Sequence, residues 1–254
     1  MKIGYALSGG GSRGFAHLGA IQALAEMGVS PSMISGTSAG ALLGSLIAQG
    51  YTPMEVFEAI TKLGLRSYLK FAFNKLGLFT MEKVELLLSE MIPHNSFEGL
   101  KIPLVVCATD LVLAEAVFYD KGSLSKPIAA SCSIPGIFEP IKWDGRTLVD
   151  GGVINNLPIE PLLHECTHII GVNSTPVASQ MPIQNMKDVL TKCLHMAISR
   201  QASEKLQKCT IAIEPLEIVK YDGLDITKAK EIFDWGYSYA LKARPEVEKM
   251  LNQK

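Results

Sequence analysis

The chain of 254 residues lacks several features that would place it in particular protein classes. It has no long run of basic residues, and 24 Lys and Arg residues nearly balance 25 Asp and Glu residues, so nucleic-acid binding is not predicted. Its five cysteines are scattered and form no C-x-x-C pair, which is typical of reduced thiols in a cytosolic protein. The apolar stretch after Lys2 is too short for a signal peptide. We therefore expect a cytoplasmic protein.

Long uninterrupted hydrophobic runs are also missing. Residues 29–54 carry no charged side chain, but Pro31, Pro53 and several small residues interrupt them, which favours a buried strand, turn and helix over a transmembrane segment. Apolar residues make up 48% of the chain, enough to bury a large core. No linker or repeat divides the sequence, so a single domain over residues 1–254 is predicted.

Apolar stretches typical of β-strands alternate with helical patterns along the chain. This alternation predicts an α/β fold of three layers, with a mostly parallel central sheet flanked by helices. The predicted strands are Ile3–Leu7, Met33–Ser35, Leu104–Ala108 and His168–Val172, with Ala116–Tyr119 and Arg146–Val149 as further strands in a hairpin region. The predicted helices are Phe15–Met27, Ala39–Gln49, Met186–Lys208 and Asp225–Leu251, the last of them broken at Pro245.

Residues Gly36–Gly40 read G-x-S-x-G between an apolar strand and a helix rich in small residues. A serine at such a sharp strand-to-helix turn presents its hydroxyl to the surroundings, and its neighbours must be small. The amide groups at the start of the following helix also favour developing negative charge. The pattern therefore predicts that Ser38 is a nucleophile.

A second glycine-rich turn, Gly9–Gly14, follows the first predicted strand. Gly9, Gly11 and Gly14 match the dinucleotide pattern G-x-G-x-x-G, but no acidic residue follows the second strand to bind a ribose. A Walker A loop is excluded because Phe15 stands where lysine is required. The remaining interpretation is an oxyanion loop that faces Ser38 from the neighbouring strand.

The base that activates Ser38 has several candidates. An α/β-hydrolase triad would use a downstream histidine, with His164, His168 and His195 available, but Ser38 comes unusually early in the chain for that fold. The other candidate is Asp150, which ends an apolar strand and precedes two glycines. Taken alone, Asp-Gly-Gly is more often a turn than a catalytic acid.

The string His164-Glu165-Cys166-Thr167-His168 matches the H-E-x-x-H zinc pattern. Zinc binding by this pattern needs both histidines on one helix, whereas residues 169–172 are typical of a buried strand. We interpret the match as coincidental and predict no metal and no cofactor.

Taken together, these motifs resemble the patatin-like phospholipases, lipid acyl hydrolases that use a Ser-Asp dyad. Residues 9–14 resemble the G-G-G-x-[RK]-G loop of that family, residues 36–40 its G-x-S-x-G elbow, and residues 150–152 its D-G-[GA] block. The segment 130–140 resembles its A-S-x-x-x-P-x-x-F-x-P block, and residues 156–158 resemble its N-x-P. The resemblance covers about residues 3–173, and the part from about 185 to 254 shows only a helical pattern.

The resemblance implies that Ser38 is the nucleophile, that Asp150 is the base, and that Gly9, Gly10, Gly11 and Arg13 form the oxyanion hole. It implies a lipid or other ester substrate. Because the reference pKa of aspartate is about 2.6 units below that of histidine, Asp150 would be a weaker base by roughly 3.5 kcal/mol. The oxyanion loop would have to compensate, since one such donor is worth about 2.7 to 4 kcal/mol.

Residues 63–81 combine basic and large apolar side chains with no acid before Glu82. Two interpretations remain open: an acyl-chain funnel or peripheral membrane contact, and a helical connection packed on the core. Two rival functions also remain, an esterase of small soluble esters and a non-catalytic nucleotide-binding or regulatory protein. The sequence gives no oligomeric state.

Overall fold

The computed structural model describes residues 1–63, 70–71, 79–177 and 183–252. The helices in these ranges are α1 Phe15–Glu26, α2 Ala39–Gln49, α3 Pro53–Leu63, α4 Glu82–Met91, α5 Ser125–Ser131, α6 Met186–Leu206, α7 Ala229–Lys242 and α8 Arg244–Asn252. The strands are β1 Ile3–Leu7, β2 Met33–Thr37, β3 Lys70–Phe71, β4 Phe79–Thr80, β5 Leu104–Asp110, β6 Glu115–Tyr119, β7 Ile141–Trp143, β8 Arg146–Asp150, β9 His168–Val172 and β10 Ile211–Ile213.

The central sheet contains eight strands, in the order β10-β9-β1-β2-β5-β8-β7 with β6 also paired to β5. The pairs among β10, β9, β1, β2 and β5 are parallel. The three remaining pairs, β5 with β6, β5 with β8 and β7 with β8, are antiparallel. The predicted mostly parallel α/β sheet is confirmed.

Helical segments cover both faces of this sheet. Successive side chains along a strand point to opposite faces, so apolar residues on each face need a cover. On β1, Tyr5 and Leu7 join the larger core with α1, α2 and α7, whereas Ala6 joins a smaller core beneath α6. The larger core includes a chain of edge-to-face rings, Phe15 with Phe57 and Phe57 with Phe233, which ties α1, α3 and α7 together. The predicted three-layer arrangement is therefore present.

The strand β5 has three partners, and this arrangement positions the functional site. Residues 104–107 of β5 pair with β2, and residues 108–110 pair with β8. Since β6 occupies the other side of β5 along residues 106–110, β2 and β8 must lie end to end on the same side. The last residue of β2 thus faces the last residue of β8.

Some sequence-based boundaries need correction. The strands at 115–119 and 146–150 do not pair with each other: β6 forms a hairpin with β5, and β8 forms one with β7. Helix α6 ends at Leu206 rather than Lys208, and the predicted C-terminal helix is two helices separated at Ala243, just before Pro245. The helices α3, α4 and α5 and the strands β3, β4, β7 and β10 were not predicted.

Residues 64–69 and 72–78 lie outside the described residues, so most of the predicted contact segment 63–81 cannot be placed. Its described residues 70–71 and 79–80 pair as antiparallel strands, so the interpretation as a helical connection is wrong there. Within the described ranges, none of the helices has the length and apolar composition needed to cross a bilayer.

Candidate active site

Ser38 lies at a sharp turn between β2 and α2. Its backbone has φ 53° and ψ −122°, a conformation that is costly for a residue with a side chain. A Cβ atom at Gly36 would lie 2.5 Å from the carbonyl oxygen of Gly40, and one at Gly40 would lie 2.3 Å from that of Leu7. Both flanking positions therefore require glycine, as the motif predicts.

Hydrogen bonds hold this strained turn in place. The amide of Ser38 donates to Ser131 Oγ at 2.8 Å, and Ser131 Oγ donates in turn to the Cys107 carbonyl at 2.6 Å. The Ser38 carbonyl accepts the amides of Ala41 and Leu42 at the start of α2. Ser131 thus connects the turn to β5.

The hydroxyl of Ser38 donates a hydrogen bond to Asp150 Oδ2 at 2.6 Å, although 112 residues separate the two along the chain. The end-to-end placement of β2 and β8 produces this contact, since Thr37 pairs with Cys107 and Asp150 pairs with the next residue, Ala108. Asp150 Oδ1 accepts the amide of Gly152 at 2.7 Å. The carboxylate is therefore fixed with one oxygen free to face the hydroxyl.

Both side chains of this pair are buried. Burial raises the pKa of Asp150 to about 6, against the lowering effect of its hydrogen bonds from Ser38 and Gly152. The carboxylate is thus a stronger proton acceptor than an ordinary aspartate and is still mostly ionised at neutral pH. Sequence reasoning assigned it the reference basicity and missed this effect.

The glycine loop lies beside the serine. A Cβ atom at Gly9 would come within 3.1 Å of Ser38 Cβ, and Gly11 and Ser38 line one cavity. The Gly9 amide donates to the Asn156 carbonyl at 3.2 Å, whereas the amides of Gly10 and Gly11 donate to no described residue. The N–H groups of Gly10 and Gly11 therefore have no acceptor among the described residues.

Residues 221–223, in the C-terminal part of the chain, pack against the glycine loop. Gly11 has φ +59°, and a Cβ atom there would lie 2.1 Å from the Gly223 carbonyl oxygen. The Ser12 amide donates to the same oxygen at 2.7 Å, and Ser12 Oγ donates to the Asp222 carbonyl. A substituent at Gly11 would displace this contact.

Arg13 belongs to the loop, but its guanidinium group contacts other parts of the chain. Nε donates to the Tyr221 carbonyl at 2.9 Å, and one terminal nitrogen donates to His195 Nε2 at 3.0 Å. Burial lowers the pKa of this arginine, with nearby Asp222 acting in the opposite direction. The structure thus connects Arg13 to residues 221–222 and to α6.

An apolar cavity of about 140 Å³ opens beside Ser38. Its walls come from the loop, α1, α2, α3, α4 and residues 132–138, and a Leu224 side chain lies at its margin. The larger apolar wall residues are Phe15, Leu42, Leu43, Ile60, Met81, Val84, Leu87, Ile134, Phe138 and Leu224. Such a cavity suits a hydrocarbon chain.

The histidines considered as alternative bases do not contact the Ser38–Asp150 pair through hydrogen bonds in the described residues. In the described part of the chain, no histidine hydrogen-bonds to Ser38 or Asp150. Burial lowers the pKa of His17 to about 4, and its Nε2 bonds with the Ser8 carbonyl at 2.8 Å. Burial, reinforced by Arg13, likewise lowers the pKa of His195 to about 4.

The H-E-x-x-H string is not helical across both histidines. A 3₁₀ turn covers only Glu160–Leu162, and His168 begins β9. No group of three or more His, Cys, Asp or Glu side chains suited to a metal ion occurs among the residues that the structure describes.

The sequence matches the family model for patatin-like phospholipases over residues 5–163. This chain belongs to the patatin-like phospholipase family. An uncharacterized NTE family protein of Mycobacterium tuberculosis is 34% identical over 165 residues, covering 63% of this chain and 45% of the relative. The mouse patatin-like phospholipase domain-containing protein 7 is 27% identical over 274 residues, covering 93% of this chain and 20% of the relative.

The chain thus spans less than half the length of these curated relatives. Among solved structures, VipD from Legionella pneumophila aligns with a TM-score of 0.58 at 17% identity, covering 98% of this chain and 67% of VipD. At this identity the likeness concerns the fold alone.

Several supporting residues were not assigned roles from the sequence. Ser131 holds the Ser38 amide, the Ser133 carbonyl accepts the Asp150 amide at 2.9 Å, and the Asn156 carbonyl fixes Gly9. These residues lie in or beside the A-S and N-x-P blocks, so the blocks were the available signal. Nothing in the sequence pattern indicated that residues 221–223 cover the glycine loop.

Proposed function

We propose that this chain is a lipid acyl hydrolase that cleaves carboxylic esters through an acyl-enzyme on Ser38, with Asp150 as the general base. The hydrogen bond of 2.6 Å from Ser38 Oγ to Asp150 Oδ2 carries this proposal. Family membership and the similarity to the mouse patatin-like phospholipase domain-containing protein 7 support the reaction class.

In the first step, Ser38 Oγ attacks the ester carbonyl carbon while its proton passes to Asp150 Oδ2. The oxyanion that forms accepts hydrogen bonds from the amides of Gly10 and Gly11, which have no acceptor among the described residues. Asp150 then returns the proton to the leaving alcohol, so an acyl group remains on Ser38 and the carboxylate is ionised again.

In the second step, Asp150 accepts a proton from water as that water attacks the acyl-enzyme. The tetrahedral intermediate collapses, Ser38 recovers its proton, and the free carboxylic acid departs. The pKa of about 6 suits both directions of transfer, because a base is most useful when its pKa lies near the working pH.

Within this proposal, Gly9 and Arg13 contribute to the oxyanion hole by holding the glycine loop in position. Gly9 places the loop against Ser38 by its bond to Asn156, and Arg13 fixes the loop to Tyr221 and His195. The apolar cavity beside Ser38 supports a long acyl chain as the occupant and favours lipid over small soluble esters.

The proposal is tested with long-chain phosphatidylcholine in mixed micelles and with p-nitrophenyl butyrate as a small soluble ester. We expect turnover of both, a higher kcat/KM on the phospholipid, and loss of both activities in Ser38→Ala. Ser45→Ala is the control, since Ser45 is also buried and bonds only within α2, to the Leu42 carbonyl; it should retain activity.

Two results would favour the rivals. Turnover of the soluble ester alone would indicate a small-ester esterase. Tight dinucleotide binding by a protein whose Ser38 does not react with a fluorophosphonate would indicate a nucleotide-binding protein and would overturn the proposal.

A further inference from the structure

Exposed apolar side chains gather at the edge of the sheet where β1, β2 and β5 end, the same edge that holds Ser38 and the glycine loop. The β5–β6 turn presents Leu111, Val112 and Leu113, which are 50%, 75% and 61% exposed. Leu224, at the margin of the cavity, is also exposed. Three consecutive exposed large apolar residues form a patch that is unfavourable in water and typical of an interaction site.

The β5–β6 turn is held in one conformation with these side chains outward. Asp110 Oδ1 accepts the amides of Val112 and Leu113 at 2.9 and 3.3 Å. The amide of Leu111 donates to the Thr147 carbonyl at 2.9 Å. Because its backbone is bonded at three consecutive residues, the turn cannot bury its apolar side chains by local collapse.

The turn also projects beyond the site. Cys107 of β5 pairs with Thr37, and β5 continues for three residues to Asp110 before the turn begins. At about 3.3 Å per residue, the turn stands roughly 10 Å beyond the level of Thr37. A flat surface that meets this edge of the molecule would reach the turn.

Helix α6 supplies a second exposed apolar surface across the glycine loop from the turn. Its His195 bonds with Arg13, whereas Leu206 at the other end of α6 belongs to the core cluster of Ile169, near the start of β9. The turns of α6 that precede His195 therefore lie at the same edge as the glycine loop. Met186 and Val189 in these turns are exposed. The site therefore lies between two exposed apolar elements.

We propose that this edge docks on a lipid bilayer, with Leu111, Val112 and Leu113 entering the interface while the cavity receives a lipid from it. This inference rests on the proposed function, because a lipid substrate resides in such a surface. The turn alone, with three side chains, is too small for a stable protein interface, which buries about 800 Å² on each partner, and the exposed apolar residues of α6 lie across the glycine loop from it. A bilayer accepts small apolar insertions of this kind.

Charge at the turn indicates which bilayer is needed. Arg146, next to the turn, pairs with Asp110 at 2.9 Å and with Glu115 at 3.0 Å. The two carboxylates more than offset its positive charge, so this group offers no net positive charge to anionic lipids. Docking through apolar insertion should therefore occur on electrically neutral phosphatidylcholine and should persist in about 0.5 M NaCl, where exposed charges are screened.

The test measures sedimentation with phosphatidylcholine vesicles, in a Ser38→Ala background so that the lipid is not consumed. Leu111→Asp should weaken vesicle binding by about tenfold or more, because a buried leucine side chain contributes that much to partition. Leu163→Asp is the matched control: Leu163 is 49% exposed but lies just before β9, at the opposite edge of the sheet. The Leu163→Asp variant should bind vesicles as tightly as the Ser38→Ala protein without further change.

Equal binding by the two variants, or binding abolished by salt, would overturn the docking proposal. A change of oligomeric state caused by Leu111→Asp alone would overturn it too, because the turn would then contact a second copy of the chain. In proteins that retain Ser38, both variants should hydrolyse p-nitrophenyl butyrate like the wild type. Absence of esterase activity in the wild type would instead contradict the proposed function, whatever the vesicles show.

Discussion

At Asp150, two opposing effects act on one carboxyl group. Burial disfavours the charged form, whereas the hydrogen bonds from Ser38 and Gly152 favour it, and burial is the larger effect. A pKa of about 6 lies close to the histidine reference, so the deficit in basicity relative to histidine largely disappears. The proposed dyad thus needs no histidine to match histidine's basicity.

This pKa predicts the pH dependence of the proposed reaction. Asp150 accepts the serine proton only when ionised, and its ionised fraction rises as the pH increases through about 6. We expect kcat/KM for p-nitrophenyl butyrate to fall about tenfold for each pH unit below that value and to reach a plateau above it.

The pH profile is measured between pH 4.5 and 8 with the fold monitored by circular dichroism in parallel. A plateau that extends unchanged down to pH 4.5, as expected for an aspartate with the ordinary pKa of about 3.9, would contradict the assignment of a buried carboxylate as the base.

Residue types at the site could be predicted from the sequence, but their energetics could not. Gly36 and Gly40 were expected because a nucleophile turn needs glycine, and the contacts at both positions require it. The basicity of Asp150 depends on atoms from β2, β5 and residues 132–133 that surround it. These segments are distant in the sequence, so the local motif at Asp150 cannot indicate its burial.

On the scale of elements, the glycine loop depends on the C-terminal segment that covers it. Gly223 lies against Gly11, and Tyr221 and Asp222 receive hydrogen bonds from Arg13 and Ser12. The loop geometry is therefore set by residues more than 200 positions away in the sequence. The sequence showed that glycines were needed in the loop, but it could not show which backbone approaches them.

A substitution at Gly11 tests whether the loop supports the reaction. Gly11→Ala places a Cβ atom 2.1 Å from the Gly223 oxygen, so the loop must move. We expect kcat for the soluble ester to fall by about 10²- to 10³-fold, the loss typical for removal of an oxyanion donor.

Gly28→Ala is the control for this substitution. Gly28 also has a positive φ, +78°, but open space surrounds its Cβ position, and it lies at the opposite edge of the sheet. It should lose some stability from backbone strain and keep its kcat. Similar kcat values for the two variants would remove the loop from the proposed mechanism.

On the scale of the whole molecule, the sheet brings distant motifs together. The parallel pairing among β1, β2, β5 and β9 agrees with the mostly parallel sheet predicted from the alternation of strands and helices, whereas the order of the strands was not predicted. The end-to-end meeting of β2 and β8 was not predictable, because it requires β5 to exchange one partner for another at Cys107 and Ala108. The missed helix α5 has only seven residues and contains Pro127, so its sequence pattern was weak. Helices α3 and α4 are about as long as the predicted α2 and were missed although their amphipathic patterns were there to be found.

The central claim is that Asp150 takes the proton of Ser38 directly. The most direct measurement is the rate at which a fluorophosphonate modifies Ser38, followed by intact-protein mass spectrometry in the wild type and in Asp150→Asn. The account predicts a rate at least about 10²-fold lower in Asp150→Asn, with the fold unchanged by circular dichroism. Asp144→Asn, an acid in the turn that leads into β8, should react like the wild type, and wild-type reactivity of Ser38 in Asp150→Asn would contradict the account.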